Sequence, residues 1–369
     1  MLGCAANSLV VESHEGHLLD MAWARPQFAH HQVNNAGDIL IDQTAGAEEA
    51  EKALEIINNW RSSHAFPLQC LKMTLKSRAK RVYPHALVAQ RLKRLPAIKL
   101  KLSSNKNMQL SKMQDIGGCR AVLRNVSEAE RLVRVCEEST AKNPQKRAEF
   151  IKKYDYIAQP KDDGYRSVHL VYKYRTSSAD LSIYNGLRIE IQVRSRLQHA
   201  WATAFETVST FSGRSVRSQI DDAWKRFFAL MGTAVARTEG RIIVSGTPTD
   251  KSELAQELRT LIQQLQVEAR LSGWSEAITI VKEEISPKAE IFLLVLDSEE
   301  MILRYEAFQR DEAPKAAKEY AKVEKNNIGK ANVQAVLVSV DSVRDIPRAY
   351  PNYSLDTDFF IKIVREAVK

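Results

Sequence analysis

The sequence predicts an α+β protein, because two kinds of periodicity alternate along the chain. Between Ile189 and Arg194, apolar and polar side chains alternate as in a strand with one buried face. From about Leu197 to Glu239, apolar residues recur with helical spacing instead. Beyond a break rich in Gly, Pro, Ser and Thr at residues 245–250, short apolar runs and helical patterns alternate again. A chain that mixes both periods packs helices against sheets.

The N-terminal elements can be placed in order. Residues 21–150 are predicted to be mainly helical, with a helix or loop over Gln90–Lys99. A turn at Asp115 then leads into a strand over Cys119–Leu123. A loop over residues 154–167 runs into a further strand, which precedes the alternating strand described above.

The C-terminal part is predicted to form a small α+β domain. Its elements are a helix over Glu253–Arg270, a hairpin of Ala289–Leu296 and Met301–Phe308, a helix over Pro314–Lys325, a strand over Val333–Val340 and a helix over Asp358–Val368. We therefore expect an N-terminal extension at 1–20, a catalytic domain at 21–244, a linker at 245–251 and a regulatory domain at 252–369.

Length and composition exclude several classes of protein. The 369 residues suffice for two domains, and 44% hydrophobic with 27% charged residues is ordinary for a globular chain. No run of 18 apolar residues occurs, so neither a membrane span nor a membrane partner is expected. The cysteines lack metal-binding spacing and predict reduced thiols in a cytoplasmic protein: Cys4, Cys70, Cys119 and Cys136.

Positive charge is concentrated in the N-terminal part. The net charge is +9, and residues 56–114 hold 13 Lys and Arg without one Asp or Glu. Residues 250–369 hold 17 Lys and Arg against 21 Asp and Glu. A solvated helix face normally mixes both signs, so the basic stretch favours a polyanionic partner, either a nucleoside triphosphate or a nucleic acid.

Candidate catalytic side chains lie on the predicted strands. Glu190, Gln192 and Arg194 point to one face of their strand. Asp115 and Glu190, on neighbouring strands, can bind one Mg²⁺ together with substrate phosphates, or Glu190 can accept a proton from an attacking hydroxyl. The structural alternative is that Asp115 caps the turn at Gly117 and Glu190 pairs with a nearby arginine.

The basic stretch and the glycine loop supply the other candidates. Four cations lie close together in sequence: Arg91, Lys93, Lys99 and Lys101. Such groups neutralise the charge of a triphosphate, although surface lysines are the alternative. Tyr165 follows Gly164 at the loop tip, where its ring can stack on a base or be an ordinary core residue. His169 shares the strand face of Tyr165 and is either functional or structural.

Five motifs in this order resemble the RelA/SpoT family of alarmone synthetases. They are Arg91–Lys93, Ala97-Ile98 with Lys101-Leu102, Asp115–Arg120, Lys161–His169 and Glu190–Arg194. Their common order and spacing, over roughly Met21–Glu239, is far more specific than a single glycine motif. The resemblance implies a nucleotidyltransferase-like mixed sheet flanked by helices.

The resemblance also implies a reaction, namely transfer of the β,γ-pyrophosphate of ATP to a ribose 3′-hydroxyl with release of AMP. On that template Asp115 and Glu190 are catalytic and bind Mg²⁺, and Glu190 activates the hydroxyl. The implied ATP-binding residues are Arg91, Lys93, Lys101 and Arg120. The implied acceptor-binding residues are Tyr165, which stacks on the base, with Lys161, Arg166, His169, Gln192 and Arg194. The family serine is replaced by Ala97, which removes one hydroxyl contact to ATP.

The C-terminal sequence RAYPNYSLDTDFF resembles one branch of this family, the toxic small alarmone synthetases fused to their own antitoxin. In that phage-defence branch a Y-x-x-Y pair, here Tyr350 and Tyr353, plugs the ATP site until a phage protein such as capsid binds. The acceptor in that branch is the 3′-CCA end of tRNA. Ordinary packing before the last helix is the alternative for both tyrosines.

The sequence therefore predicts a self-inhibited pyrophosphokinase that modifies tRNA 3′ ends and so inhibits translation. The alternative enzyme is a (p)ppGpp synthetase that uses GDP or GTP as acceptor. The alternative from another class is a catalytically inactive module that binds nucleotides or RNA, which only Ala97 favours.

Overall fold

The structure is a computed structural model. It describes residues 23–42, 44–141, 148–211, 222–277, 279–282, 289–327, 330, 332–340, 346 and 357–369. The helices are α1 (His30–Ile41), α2 (Ala47–Ser63), α3 (Ala65–Val82), α4 (Leu95–Ser103), α5 (Val126–Ala141), α6 (Arg196–Phe211), α7 (Asp222–Thr238), α8 (Lys251–Leu265), α9 (Val267–Ala277), α10 (Ala313–Asn326) and α11 (Asp358–Ala367). The strands are β1 (Leu87–Leu92), β2 (Gly117–Leu123), β3 (Ala148–Asp155), β4 (Val168–Tyr174), β5 (Arg188–Ser195), β6 (Thr279–Lys282), β7 (Ile291–Asp297), β8 (Ile302–Phe308) and β9 (Val333–Ser339).

In the described part of the chain, the strands form one nine-stranded sheet in the order β3-β4-β5-β2-β1-β9-β7-β8-β6. The β2–β5 and β6–β8 pairs are parallel, and the remaining pairs are antiparallel. The predicted α+β class, with a mixed sheet flanked by helices, is confirmed.

The prediction of a helix or loop over Gln90–Lys99 is wrong at its start. Strand β1 extends to Leu92 and pairs with β2, so that Arg91 lies opposite Gly118. Burial along β1 does not alternate residue by residue, because the strand lies inside the sheet between β2 and β9. The sequence therefore shows no period of two there.

The C-terminal elements occur where the sequence predicts them, but their strands extend the same sheet. β9 pairs with β1, with Ser339 opposite Gln90 and Val338 opposite Arg91. The single helix predicted over Glu253–Arg270 is two helices, because Gln266 adopts the left-handed conformation between them. The bounds of the four predicted segments stay predictions, and the expected extension at 1–20 lies outside the described residues.

The cores leave one face of β5 polar. Ile189, Ile191 and Val193 of β5 pack into the cluster that contains Leu68 and Leu71 of α3. A second cluster joins α6 and α7 to α8, α9 and α11. Within the described ranges, no helix is long and apolar enough to cross a membrane. The described cysteines are buried, and none of them forms a disulfide.

Candidate active site

The polar side chains of β5 form a chain of hydrogen bonds along one face of the strand. Gln192 donates to Oε1 of Glu190 at 2.8 Å, and Arg194 donates to Oε1 of Gln192 at 2.7 Å. The predicted alignment of these three groups on one strand face is confirmed.

The strand register continues this polar face across the neighbouring strands. Residues directly opposite each other share a face of the sheet. Two cross-strand rows result: Arg91–Gly118–Glu190–Val171–Lys152 and Ala89–Arg120–Gln192–His169–Tyr154. Arg91 and Arg120, both predicted to bind ATP, therefore lie on the same side of the sheet as Glu190.

The members of these rows on β1, β2 and β5 line a cleft of about 370 Å³, part of which is open to solvent. Its lining residues are Ala89, Arg91, Asp115, Gly118, Cys119, Arg120, Glu190 and Gln192. The cleft is open between Arg91 and Glu190 because Gly118, which lies between them in the row, has no side chain. The two predicted acids, Asp115 and Glu190, thus face one cavity together with two predicted ATP-binding arginines.

Asp115 is held at the cleft by two of the predicted ATP-binding cations. Lys93 lies 2.6 Å from Oδ2 of Asp115, and Lys101 lies 2.9 Å from Oδ1. Burial opposes ionisation of Asp115, but the charges of both lysines outweigh it and hold the pKa of this carboxyl well below its usual range. Burial also lowers the pKa of Lys93, although the Asp115 charge opposes that shift. The carboxylate is therefore ionised at neutral pH.

Glu190 belongs to a closed ring of five side chains. Its Oε2 lies 3.1 Å from Nδ1 of His169, and Nε2 of His169 lies 2.8 Å from the hydroxyl of Tyr165. Arg194 donates to that hydroxyl at 2.6 Å, and the contacts through Gln192 return to Glu190. Four of the predicted acceptor-binding residues thus surround the predicted catalytic glutamate.

The ring shifts the proton affinities of its members. Burial raises the pKa of Glu190, but the contacts with His169 outweigh burial and the net pKa is lowered. Burial lowers the pKa of His169, but Tyr165 and Glu190 outweigh it and the net pKa is raised. For Tyr165, burial opposes ionisation, whereas Arg194 and His169 favour it and bring its pKa down to about 8. The ring therefore stabilises an anionic Glu190 beside a basic His169.

Tyr165 is buried in this structure, with 7% of its surface exposed. The guanidinium of Arg194 lies 5.1 Å from the centre of its ring, and the ring of Trp201 lies 6.3 Å away. The preceding Gly164 has a φ of 92°, and a Cβ there would lie 2.7 Å from the backbone oxygen of Phe228 in α7. Glycine thus lets the loop pack closely against α7. This placement agrees with the structural alternative for Tyr165, whose role in base stacking stays a prediction.

Arg166 and Lys161, also predicted to bind the acceptor, lie outside the ring. Arg166 is buried and donates to the backbone carbonyls of Ile157, at 3.1 Å, and Ile242. The structure therefore gives Arg166 a role in holding the loop, because its guanidinium donates to these two backbone carbonyls. Lys161 points to the aromatic rings of the loop, with its ammonium 4.6 Å from the ring centre of Tyr156.

Sequence reasoning missed Glu206 of α6, which lies close to the cationic side of the cleft. Burial raises the pKa of this carboxyl, but the charges of Arg120, Arg91, Arg194 and Arg94 outweigh burial and lower it. The only signal in the sequence is an acid on the helix that follows the alternating strand.

Sequence reasoning also missed a clamp between the C-terminal part and the ATP-binding segment. Glu324 of α10 forms a buried ion pair with Arg61 and accepts hydrogen bonds from the Leu95 backbone, at 2.9 Å, and the Tyr320 hydroxyl, at 3.0 Å. Arg61 in turn donates to the backbone oxygen of Lys93 at 3.0 Å. The pairing is not visible in the sequence because Arg61 and Glu324 are 263 positions apart.

The predicted plug residues, Tyr350 and Tyr353, lie outside the described residues. The described positions on either side of them are anchored to the rest of the fold. Ser339 pairs with Gln90 next to Arg91, and Thr357 donates to the backbone oxygen of Leu271 at 3.3 Å.

Comparisons with known proteins place the cleft within a family region. Residues 90–211 match the family model described as the region found in RelA/SpoT proteins. No curated protein matches the chain.

Several solved structures are similar to the chain at low identity. Small alarmone synthetase 1 from Bacillus subtilis, bound to its product pppGpp, is 23% identical over 54% of this chain and 93% of its own, with a TM-score of 0.38. A GTP pyrophosphokinase family protein from Streptococcus pneumoniae is 21% identical over 55% of this chain and 93% of its own, with a TM-score of 0.37. Small alarmone synthetase 2 from Bacillus subtilis is 20% identical over 52% of this chain and 97% of its own, with a TM-score of 0.38.

The family match and the residues of the cleft identify the candidate site. The matched region contains all five motifs and both acids of the cleft. Residues 90–211 therefore match a RelA/SpoT region, and the candidate pyrophosphotransferase site lies inside that match.

Proposed function

We propose that this chain transfers the β,γ-pyrophosphate of ATP to the ribose 3′-hydroxyl at the 3′-CCA end of tRNA. The observation that carries this proposal is the shared cleft of Asp115, Glu190, Arg91 and Arg120. The triphosphate of ATP carries about four negative charges, which guanidinium and ammonium groups neutralise during transfer. The two arginines are the proposed ATP side of the cleft.

Glu190 is the proposed proton acceptor for the 3′-hydroxyl. Its carboxylate is ionised, because the contacts with His169 and Gln192 favour its charged form. The same contacts fix its orientation, at 3.1 Å from His169 and 2.8 Å from Gln192. A general base must be both deprotonated and positioned, and the ring supplies both conditions.

Mg²⁺ is the proposed cofactor, and Asp115 with Glu190 are the residues that would hold it. Mg²⁺ is commonly bound by one or two carboxylates together with substrate phosphates, so two acids suffice. In the described part of the chain, no cluster of three or more His, Cys, Asp or Glu is placed to hold a metal ion. Each oxygen of Asp115 accepts one lysine contact and keeps a lone pair for a cation. The ion supplies charge neutralisation on the transferred phosphates.

The acceptor is tested by incubating the protein with γ-labelled ATP and one acceptor at a time. We expect label on deacylated tRNA and none on tRNA that lacks its terminal CCA. Label on GDP or GTP but never on tRNA supports the (p)ppGpp synthetase instead. A folded protein that labels none of these, with the inhibition described next removed, supports the catalytically inactive binding module.

We further propose that the C-terminal part inhibits the enzyme until a phage protein such as capsid binds it, which makes the chain a toxin–antitoxin fusion for phage defence. Two contacts support this proposal. β9 pairs with β1 at Arg91, and Glu324 clamps the segment between Lys93 and Leu95. A change in the C-terminal part therefore reaches the ATP side of the cleft directly. A cytoplasmic location, where ATP and tRNA are available, follows from the same proposal.

The inhibition is tested by substituting one tyrosine. Tyr353→Ala should make expression toxic without any phage, whereas Tyr353→Phe, which keeps the ring, should stay harmless. Adding Glu190→Gln to Tyr353→Ala should restore growth. Truncation near residue 250 is a poorer test, because it removes β9 from the edge of β1 and leaves Arg61 without Glu324. A soluble Tyr353→Ala protein with wild-type rate and wild-type growth contradicts the plug.

A further inference from the structure

One face of the edge strand β3 carries a stripe of aromatic and cationic side chains. Lys152 and Tyr154 alternate along β3 and therefore point to the same side, and Tyr156 follows directly after the end of the strand. The rings of Tyr154 and Tyr156 are stacked, with their centres 6.1 Å apart and their planes 6° apart. Lys152 lies 4.7 Å from the ring centre of Tyr154, and Lys161 lies 4.6 Å from that of Tyr156.

This stripe is accessible from outside the protein. Lys152 is exposed, and Tyr154 and Tyr156 are half-buried. β3 is the last strand on its side of the sheet in the described part of the chain. By contrast, Tyr172 and Tyr174 of the neighbouring strand β4 are buried and belong to the core.

The stripe lies at the β3 end of the two cross-strand rows that contain Glu190 and Gln192. Lys152 terminates the row of Arg91 and Glu190, and Tyr154 terminates the row of Arg120 and Gln192. The two arginines lie on β1 and β2, on one side of Glu190, and the stripe lies on β3, on its other side. A molecule bound along the stripe therefore approaches Glu190 from the side opposite to the proposed ATP site.

We infer that Lys152, Tyr154, Tyr156 and Lys161 bind the single-stranded 3′ end of an RNA acceptor. Aromatic rings that stack on successive bases, with cations along the backbone, are the usual means of binding single-stranded nucleic acid. A free nucleotide has one base, so it gains little from a second ring two residues along the strand. The inference deepens the proposed function and rests on it, because it explains how a tRNA end reaches Glu190.

The neighbouring residue Lys153 provides a matched control. It lies on the same strand, but its side chain points to the opposite face and forms an ion pair with Glu137 at 2.8 Å. A second control keeps the ring of Tyr154. Its hydroxyl donates to Gln114 at 3.3 Å, so Tyr154→Phe removes this long contact and leaves the stacking surface.

The test compares steady-state kinetics of four variants with deacylated tRNA as acceptor, in the Tyr353→Ala background. Tyr154→Ala should raise the KM for tRNA about tenfold, by loss of stacking on one base. Lys152→Gln should raise the same KM and reduce its dependence on salt concentration. Lys153→Gln should stay within about twofold of the parent, because the stripe is intact, and Tyr154→Phe should recover most of the affinity that Tyr154→Ala loses, because the stacking surface remains.

Failure of this inference can be distinguished from failure of the proposed function. If the parent labels tRNA and neither Tyr154→Ala nor Lys152→Gln changes the KM, the stripe is not the acceptor site. If the parent labels only GDP or GTP, the tRNA proposal fails, and binding of a fluorescent single-stranded ACCA oligonucleotide then decides. The inference is supported if the protein binds this oligonucleotide and Tyr154→Ala, but not Lys153→Gln, weakens the binding. It is overturned if the protein does not bind the oligonucleotide.

Discussion

The two halves of the nine-stranded sheet, β1 to β5 and β6 to β9, differ in the side chains on their faces. In the catalytic half, β5 has one apolar face and one face that carries Glu190 and its hydrogen-bonded neighbours. In the C-terminal half, β7 is apolar on both faces, since Phe292 and Leu294 join one core cluster and Leu293 joins another. A central strand with two apolar faces is stabilised by packing alone. In the catalytic half, β5 has less of this stabilisation because one of its faces carries charged and polar groups.

Polar contacts connect the two halves where the strand pairing is short. In the described residues, β1 and β9 share two register pairs. Around them, Lys72 donates to the Ser339 hydroxyl at 3.0 Å, and Glu324 pairs with Arg61. The apolar half therefore supports the catalytic half through these contacts. Its Glu324 accepts a hydrogen bond from the Leu95 backbone and pairs with Arg61, which in turn donates to the Lys93 carbonyl.

The largest effect is expected in the catalytic half from Glu190→Gln. The amide keeps the shape of the side chain but removes its charge, so it neither accepts the proton nor binds a cation as the carboxylate does. We expect kcat to fall by about 10² to 10⁴, measured as transfer of label from γ-labelled ATP.

The matched control is Glu149→Gln on β3, whose carboxylate lies 3.4 Å from Arg175 at the surface. Its kcat should equal that of the parent protein. A Glu190→Gln protein that folds and retains more than about one tenth of the activity contradicts the assignment of Glu190 as proton acceptor.

The next largest effect is expected at the junction from Glu324→Gln. This change leaves the buried guanidinium of Arg61 without its counter-charge, and removing one partner of a buried pair costs about 3–5 kcal/mol of unfolding free energy. The expected result is a large drop in the urea concentration at the midpoint of unfolding. Unfolding is monitored by both the tryptophan fluorescence and the circular dichroism of the protein.

Lys325→Gln is the control for this junction. Lys325 pairs with Glu51 at the surface, and loss of an exposed pair costs about 0.2–1 kcal/mol. If Glu324→Gln and Lys325→Gln shift the urea midpoint equally, the two halves are not held together by the Arg61–Glu324 pair.

Local patterns predicted much of the fold because they reflect burial of each element on its own. The sequence pattern predicts both the strand β5 and the hairpin of β7 and β8 for this reason. β1 was not, because a short strand between two others has no regular alternation of burial. Nor was the junction with β9, because pairing between distant strands depends on which sheet edges remain open, and no local pattern records that.

The candidate site was predictable by residue type but not by contact. The motifs named Tyr165 and Arg166 together, yet the loop buries Tyr165 in the ring and directs Arg166 to backbone carbonyls. Adjacent residues on a loop can point to unrelated surroundings, and only the path of the chain decides which. Tyr154 gave no signal of its own, because its position at the end of a catalytic row depends on strand register.

A smaller effect is expected on the pH dependence of stability. It should come from the catalytic half, because all eight histidines lie within residues 1–199. His64 is buried at the junction of α2 and α3, and burial lowers its pKa to about 4 although Nδ1 lies 2.7 Å from the Trp60 carbonyl oxygen. Between about pH 6.5 and pH 4 the unfolded chain binds a proton that the native chain excludes. Stability should therefore fall as the pH falls through this window, by about 3 kcal/mol in total for this group.

His64→Gln should remove this acid sensitivity, measured as the difference between urea midpoints at about pH 5 and about pH 7.5. His85→Gln is the control, because His85 is exposed. A midpoint difference that is the same in the parent and in His64→Gln shows that His64 does not remain neutral when buried.

The smallest effect concerns two buried tyrosines, one in each half. Arg194 and His169 bring the pKa of Tyr165 down to about 8 against the opposing effect of burial, whereas burial raises the pKa of Tyr305 to about 12. As the pH rises, one tyrosine should ionise near pH 8, before the ordinary tyrosines near pH 10. Tyr165→Phe should abolish this early step in the phenolate absorbance, and Tyr305→Phe should leave it unchanged. If the early step remains in Tyr165→Phe, Tyr165 is not the tyrosine that ionises near pH 8. The contrast between the pKa values of Tyr165 and Tyr305 is then wrong.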